Sequence, residues 1–241
     1  MYQPPHFRED RVEIQHALIR AHPLGLLITA GPGGLIANPI PFLVYAEGSE
    51  RGTLRAHVSR ANPQWRELSA VAECLVVFQG PQEYVTPSWY PTKQETGKVV
   101  PTWNYVTVHA WGRPQAIHDA AWLRRQLDDL TLLKEGARLT PWKVDDAPPE
   151  FVAAQLKGIV GVEIPIGRIE GKWKVSQNRP EADRAASWRA CGSKASRPSR
   201  WRRWLPSAAG SGRAAPFPDG AMTPRLPQRQ FACAGLNKRY I

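Results

Sequence analysis

Among 241 residues there are three cysteines and two methionines. No apolar run approaches the ~20 residues that a membrane-spanning helix needs. Three cysteines cannot build a disulfide framework, and none stands in a C-x-x-C pair, which points to a reducing compartment. The opening segment MYQPPHFRED is polar where a secretory signal is basic and then apolar. The expectation is a cytoplasmic protein with no membrane contact. Acidic residues are scarce in one region only. Residues 185–241 hold eleven Lys/Arg and a single acid, Asp219, which leaves 21 basic and 20 acidic residues for 1–184. The net charge of +11 therefore belongs almost entirely to the last quarter of the chain. A basic tail of this kind is one route to a phosphate backbone.

Familiar catalytic signatures are missing as well. There is no Walker lysine, no G-x-S-x-G elbow and no H-E-x-x-H, and the six histidines show no metal-ligand spacing. Gly31-Pro32-Gly33-Gly34 lacks the G-x-G-x-x-G spacing and a following helix, so it reads as a hairpin turn. Cys74 lies inside the apolar strand AECLVVF and reads as a small buried hydrophobe. No helix–turn–helix can be placed in 1–184, because the helical stretch from Arg11 to His22 leads straight into a strand.

What is present is a core-forming pattern, with 42% hydrophobic residues. A helix is expected from Asp10, with Val12, Ile14, Ala17, Leu18 and Ala21 on one face and Pro23 ending it. GLLITA and GLIANPIPFLVYA flank the Gly/Pro turn as a hairpin. GTLRAHVS alternates Leu54, Ala56 and Val58 against Arg55, His57 and Ser59. NPQWRELS is a short helix with Asn62 as N-cap and Pro63 in its first position. AECLVVFQG and NYVTVHAWGRPQAI are further strands, HDAAWLRRQLDDLTLL a helix, and KGIVGVEIPIGRIEGKWKVSQ a long bent strand or a hairpin. Six or more strands with few helices and no βαβ alternation favour a mainly β fold with peripheral helices (α+β), a closed or half-closed antiparallel barrel.

Two segments carry chemistry. In LRAHVSRANP a strand end bearing His57, Ser59 and Arg60 runs into the helix start at Asn62. Hydroxyls, a guanidinium and backbone N–H groups suited to phosphate converge there, and a plain capped surface turn is the alternative. Residues 84–112 concentrate Tyr84, Trp89, Tyr90, Trp103, Tyr105 and Trp111 among prolines. That density suits a planar-ligand pocket or ordinary barrel packing equally.

At these residues the chain resembles the PaiB family, the FMN-binding negative transcriptional regulators. The strings MYQPPHF, HPLGLLIT, ANPIPF, HVSRANPQW, FQGPQEYVTPSWYPTK, VPTWNYVTVHAWG and KVSQNRPEAD occur in order across residues 1 to about 184. The resemblance implies an FMN-binding split β-barrel similar to pyridoxamine 5′-phosphate oxidases, working as a homodimer with the flavin at the subunit interface. It implies a phosphate cradle at His57, Ser59, Arg60 and Asn62, and backbone approach to the isoalloxazine from Asn38 through Pro41, including Ile40. Thr102, Trp103, Asn104 and Tyr105 would face the flavin, from the same or the partner subunit. Ser88, Lys93, Lys174 and Gln177 are further candidates, and no catalytic residue is implied. Thr86 stands where the family often has Ser, which keeps the hydroxyl. DNA binding is implied by the family alone, and a flavin-dependent oxidoreductase or redox sensor is the rival class. Flavin carries its own redox chemistry, so the missing triad excludes nothing.

The resemblance ends after Asp183-Arg184. Asn178, Pro180, Glu181 and Asp183 announce a helix. Beyond them stand Trp188, Trp201 and Trp204 among arginines, two cysteines and six prolines, without periodicity. A G/C-rich back-translation read two nucleotides further in encodes a helix-like continuation. Residues 185–241 are therefore expected to be a disordered frameshift product with exposed tryptophans, the alternative being a genuine basic DNA-binding arm.

Overall fold

The structure, a computed structural model, describes residues 1–31, 33–193 and 204. Its strands are β1 (Arg8–Glu9), β2 (Leu24–Gly31), β3 (Gly34–Pro41), β4 (Leu43–Tyr45), β5 (Thr53–Ser59), β6 (Cys74–Val85), β7 (Thr102–Gly112), β8 (Gln115–Ile117) and β9 (Ile159–Lys174). Its helices are α1 (Val12–Ala21), α2 (Gln64–Glu67), α3 (Thr92–Thr96), α4 (Ala120–Glu135), α5 (Pro149–Lys157) and α6 (Glu181–Ser193). The strands join in the order β3-β2-β6-β7-β9-β5-β4, all antiparallel, with β1 and β8 added against β9. This is the expected antiparallel barrel, split where β3 and β5 approach without a ladder. Pro39 and Pro41 explain why β3 ends the ladder, since proline cannot donate to a second neighbour.

Alternation sets the core. Leu54, Ala56 and Val58 of β5 turn inward, as do Val106, Val108 and Ala110 of β7 and Val76 and Phe78 of β6. Helix α1 closes one end with Leu18 and Ile19, both fully buried. The hairpin β2–β3 pairs Gly31 with Gly34, whose φ of +97° only glycine adopts without strain. β9 is one continuous strand that changes neighbours midway, with β5 and β8 flanking Ile159–Pro165 and β7 and β1 flanking the remainder. Of the bent-strand and hairpin readings, the strand is the one observed.

Three local boundaries differ from the sequence reading. Helix α1 starts at Val12 because Glu9 holds Arg11 by backbone and guanidinium, leaving Arg11 extended at the N-cap. Helix α2 starts at Gln64 and spans four residues, with Pro63 at the N-cap; Asn62 Oδ1 still accepts from the Gln64 amide at 3.0 Å. Helix α6 runs to Ser193, nine residues past Arg184.

Two tail tryptophans are also not exposed. Trp188 Nε1 donates to the Val175 carbonyl at 2.8 Å, and Trp204 is 5% exposed, its ring 6.0 Å from Trp173 and 6.3 Å from His22. A large aromatic left beside an uncovered apolar seam is driven onto it whatever its neighbours in sequence. The remaining expectations for 194–241, including disorder and a frameshift origin, lie outside the described residues apart from Trp204.

Candidate functional site

The split in the barrel is a cleft of about 480 Å³, within the range of small-molecule sites. β3 supplies Asn38, Pro39, Ile40 and Pro41, and β5 with its following turn supplies His57, Val58, Ser59 and Asn62. Gln155, Gly158 and Ile159 close it from the α5–β9 junction. Five of the expected residues thus meet in one place: Asn38, Ile40, His57, Ser59 and Asn62. Hydroxyl, amide and imidazole groups alternate with apolar walls, and among the described residues no Asp, Glu, Lys or Arg lines the cleft. The donor set suits a phosphate ester, and the Ile40, Val58 and Ile159 walls suit an aromatic ring system.

Local bonds hold this set in place. Asn38 Nδ2 donates to Gln64 Oε1 at 2.9 Å, and the buried Gln64 in turn donates to Thr29 Oγ1 at 3.1 Å, bolting α2 into the split. Ser59 Oγ accepts from the Ala61 amide at 3.2 Å. His57 Nδ1 lies 2.7 Å from Oε1 of Gln126, a residue of α4 that is only 1% exposed. Gln126 Nε2 is buried without a partner. Arg60 is turned away from the cleft. Its Nε and one terminal nitrogen donate to the carbonyls of Lys157 and Ile159 at 2.8 and 3.0 Å, so it fastens the α5–β9 junction instead.

Helix α4 reaches this region because its Trp122 ring lies over Gly161, the residue opposite His57 in the β5–β9 ladder. Arg55 and Trp122 both donate to Glu163, and Tyr45 donates to Asp129, tying α4 down at both ends.

Thr102, Trp103, Tyr105 and Lys174 form a separate group away from the cleft. Lys174 donates to Thr102 Oγ1 and, at 2.6 Å, to the Trp103 carbonyl. Burial, then the Lys172 and Arg179 charges, hold the Lys174 amine below its ordinary pKa. Trp103 is half exposed and donates to Gln82 Oε1 at 3.0 Å. Trp103 and Tyr105 line a second cavity, about 400 Å³, on the outward face of β6, β7 and β9. Its other polar walls are Gln79, Gln82, Thr107, His109 and the 8% exposed Lys172, which donates to the Tyr2 carbonyl at 2.9 Å. Among the described residues, none lines both cavities.

Arg60, Thr102 and Lys174 line neither cavity, and nor do four further expected residues. Asn104 faces inward and accepts from Ser176 Oγ at 3.0 Å. Gln177 accepts from the Val175 amide at 2.8 Å and donates to the Trp173 carbonyl, closing the end of β9. Ser88 and Lys93 are exposed on the segment after β6, where the Thr86 hydroxyl accepts from the Ser88 amide at 3.3 Å. The hydroxyl at position 86 is thus in use. Cys74 is buried, and burial pushes its thiol up to about 12, which leaves it unreactive.

The sequence reading missed Gln126, Gln155 and Lys172. Gln126 had a signal, since it stands three residues after the buried Leu123 on the apolar stripe of α4, where a polar residue needs a reason.

The comparisons with known proteins bear on family and fold. The family described as "Putative FMN-binding domain" matches residues 1–168. An uncharacterized protein of Emericella nidulans is 36% identical over 219 residues, covering 76% of this chain and 87% of its own length. The protease synthase and sporulation protein PAI 2 of Bacillus subtilis is 33% identical over 183 residues, covering 76% of this chain and 85% of its own length. In fold, the chain is similar to the FAD and heme binding protein of Mycobacterium smegmatis, with a TM-score of 0.52 and 19% identity over 91% of this chain and 93% of that one.

Proposed function

Because the chain belongs to the family of FMN-binding domains, the PaiB-like flavin-binding proteins, we propose that it binds FMN in the β3–β5 cleft as a homodimer and acts in the cytoplasm as a negative transcriptional regulator. The observation that carries the flavin reading is the cleft itself, where Asn38, Ile40, His57, Ser59 and Asn62 meet with no carboxylate among the described residues that line it. His57, Ser59 and Asn62 would hold the phosphate, and β3 would lie along the isoalloxazine. A flavin bound there supplies hydride or one-electron chemistry of its own. The chain's part is to hold it and to limit what reaches the ring.

The dimer reading is supported by the outward face of β2 and β3. An antiparallel sheet facing water is polar on that side. Here Leu24, Leu26 and Leu35 are 62%, 37% and 78% exposed, beside Pro39 and Pro41. A second copy of the chain covering this face would bring its own Thr102–Tyr105 stretch to the flavin. Among the described residues no helix is long and apolar enough to cross a membrane.

A flavin-dependent oxidoreductase is the second reading, favoured by the 400 Å³ cavity beside Trp103 and Tyr105 and by the near-neutral body. The test begins with the visible spectrum of the purified full chain and identification of released flavin. One FMN per chain supports the site, FAD alone corrects the cofactor, and no flavin after soaking with FMN refutes it. Operator binding that weakens with salt separates the regulator from an enzyme that turns over reduced nicotinamide.

A further inference from the structure

Among the described residues, no Lys or Arg lines the cleft that would take the flavin phosphate, and two of the Arg60 donors are spent on carbonyls. Recognition of a phosphate there falls to neutral donors, so the state of His57 decides much. A neutral His57 ring is a donor toward the cleft only if its proton sits on Nε2, and that is settled by what meets Nδ1. We propose that Gln126, on α4 and outside the cleft lining, is the positioning residue that makes His57 a phosphate donor and thereby sets a preference for FMN over riboflavin. The proposal rests on reading the cleft as the flavin site.

The side-chain amide of Gln126 has two orientations of the same shape. With oxygen toward Nδ1, the ring proton must sit on Nδ1, and both amide N–H groups stay buried without an acceptor. Nε2 then turns a lone pair toward the cleft, which repels a phosphate. With nitrogen toward Nδ1, one N–H is paired, the ring proton moves to Nε2, and the cleft gains a donor. A buried N–H without a partner is costlier than a buried carbonyl without one, so the second orientation is favoured before any ligand arrives. A phosphate oxygen accepting from Nε2 strengthens it further. Among the described residues, the contact with His57 is the one hydrogen bond that the Gln126 side chain makes. The position is 1% exposed, lies on the same apolar stripe as Leu123, and would pack equally well with an unbranched apolar side chain.

The experiment compares dissociation constants for FMN and riboflavin, read from quenching of flavin fluorescence, in the wild-type chain, Gln126→Met, His57→Gln and the double variant. Methionine matches glutamine in volume and removes the unpartnered N–H, so Gln126→Met should fold with unreduced thermal stability. The expected result is that Gln126→Met weakens FMN about tenfold, the worth of a hydrogen bond to a charged group, and leaves riboflavin within about twofold. In the His57→Gln background the same change adds nothing to the FMN/riboflavin ratio. Equal loss of both flavins would show a packing role, and unchanged FMN affinity would show no role; either overturns the proposal. Failure of the flavin reading looks different, because the wild-type chain would then bind neither.

Discussion

Gly161→Ala tests whether α4 is seated as tightly as its contacts indicate. A Cβ at this position would stand 2.4 Å from Cζ3 and 3.0 Å from Cε3 of Trp122, and 3.1 Å from Ile117 Cβ. Carbon atoms rest about 3.5–4.0 Å apart, so the ring must lift by roughly 1 Å. It has little freedom to do so, because Trp122 Nε1 donates to Glu163 at 3.3 Å and its backbone N–H to Asp119 at 2.7 Å. Gly161 is not among the residues of positive φ, so the cost is spatial and not conformational. Overpacking of this kind costs about 1–3 kcal/mol. At about 2–4 °C per kcal/mol for a domain of this size, Tm should fall by roughly 2–12 °C. Gln126 lies one turn beyond Trp122, so lifting the ring also draws it from His57, and FMN should lose more affinity than riboflavin. Thermal unfolding followed by circular dichroism, with flavin titrations on the same preparations, measures both. A Tm within about 1 °C of wild type would refute the reasoning.

Three further outcomes are expected. Leu26→Lys, on the apolar outward face of β2, should weaken self-association by roughly 10–100-fold with the fold intact, as for a central interface residue; an unchanged dimer in analytical ultracentrifugation would show that this face is not the interface. Burial holds both His16 and His109 below the ordinary imidazole pKa of 6.5, so the unfolded chain takes up protons first as pH drops. The stability these residues contribute is present above pH 6.5 and lost below it, and a urea midpoint that holds or rises between about pH 7.5 and 5.5 would contradict this. Trp204→Ala should cost about 3 kcal/mol, near the low end for a buried aromatic, and cutting the chain after Arg184 should cost more because Trp188 goes too. A cut chain as stable as the full one would show that the barrel is indifferent to this basic segment.

The strands were legible wherever alternation was clean. β5 and β7 show in their sequences which side chains turn inward, and the Gly/Pro punctuation after Ala30 marks the hairpin. Partners were not legible, because a period of two reports which face is buried and nothing about which strand lies alongside. That β5 meets β9 more than a hundred residues later is a matter of tertiary closure. Within the site, Ser59 and Asn62 could be read because their neighbours in sequence are their neighbours in space. Arg60 could not, since its guanidinium is claimed by carbonyls at 157 and 159. Asn104 misled for a related reason. It alternates with Trp103 and Tyr105, so it points into the protein where they point out. The boundary at Arg184 was set by the resemblance, and the helix continued through it because alanine, serine, tryptophan and arginine sustain a helix in any register.

The two-sided role of β9 has a kinetic consequence. Its 16 residues border β1, β5, β7 and β8, so the barrel cannot close until Lys174 has left the ribosome. The hairpin β2–β3 and the pair β6–β7 can form earlier, yet each holds out an apolar surface until that last strand arrives. The nascent chain is most exposed to aggregation during this interval, and chaperone demand should peak there. Errors of reading frame before residue 174 would leave no barrel, whereas errors after it leave every strand in place. Position along the message, and not distance from the flavin cleft, then decides which lesions this protein survives.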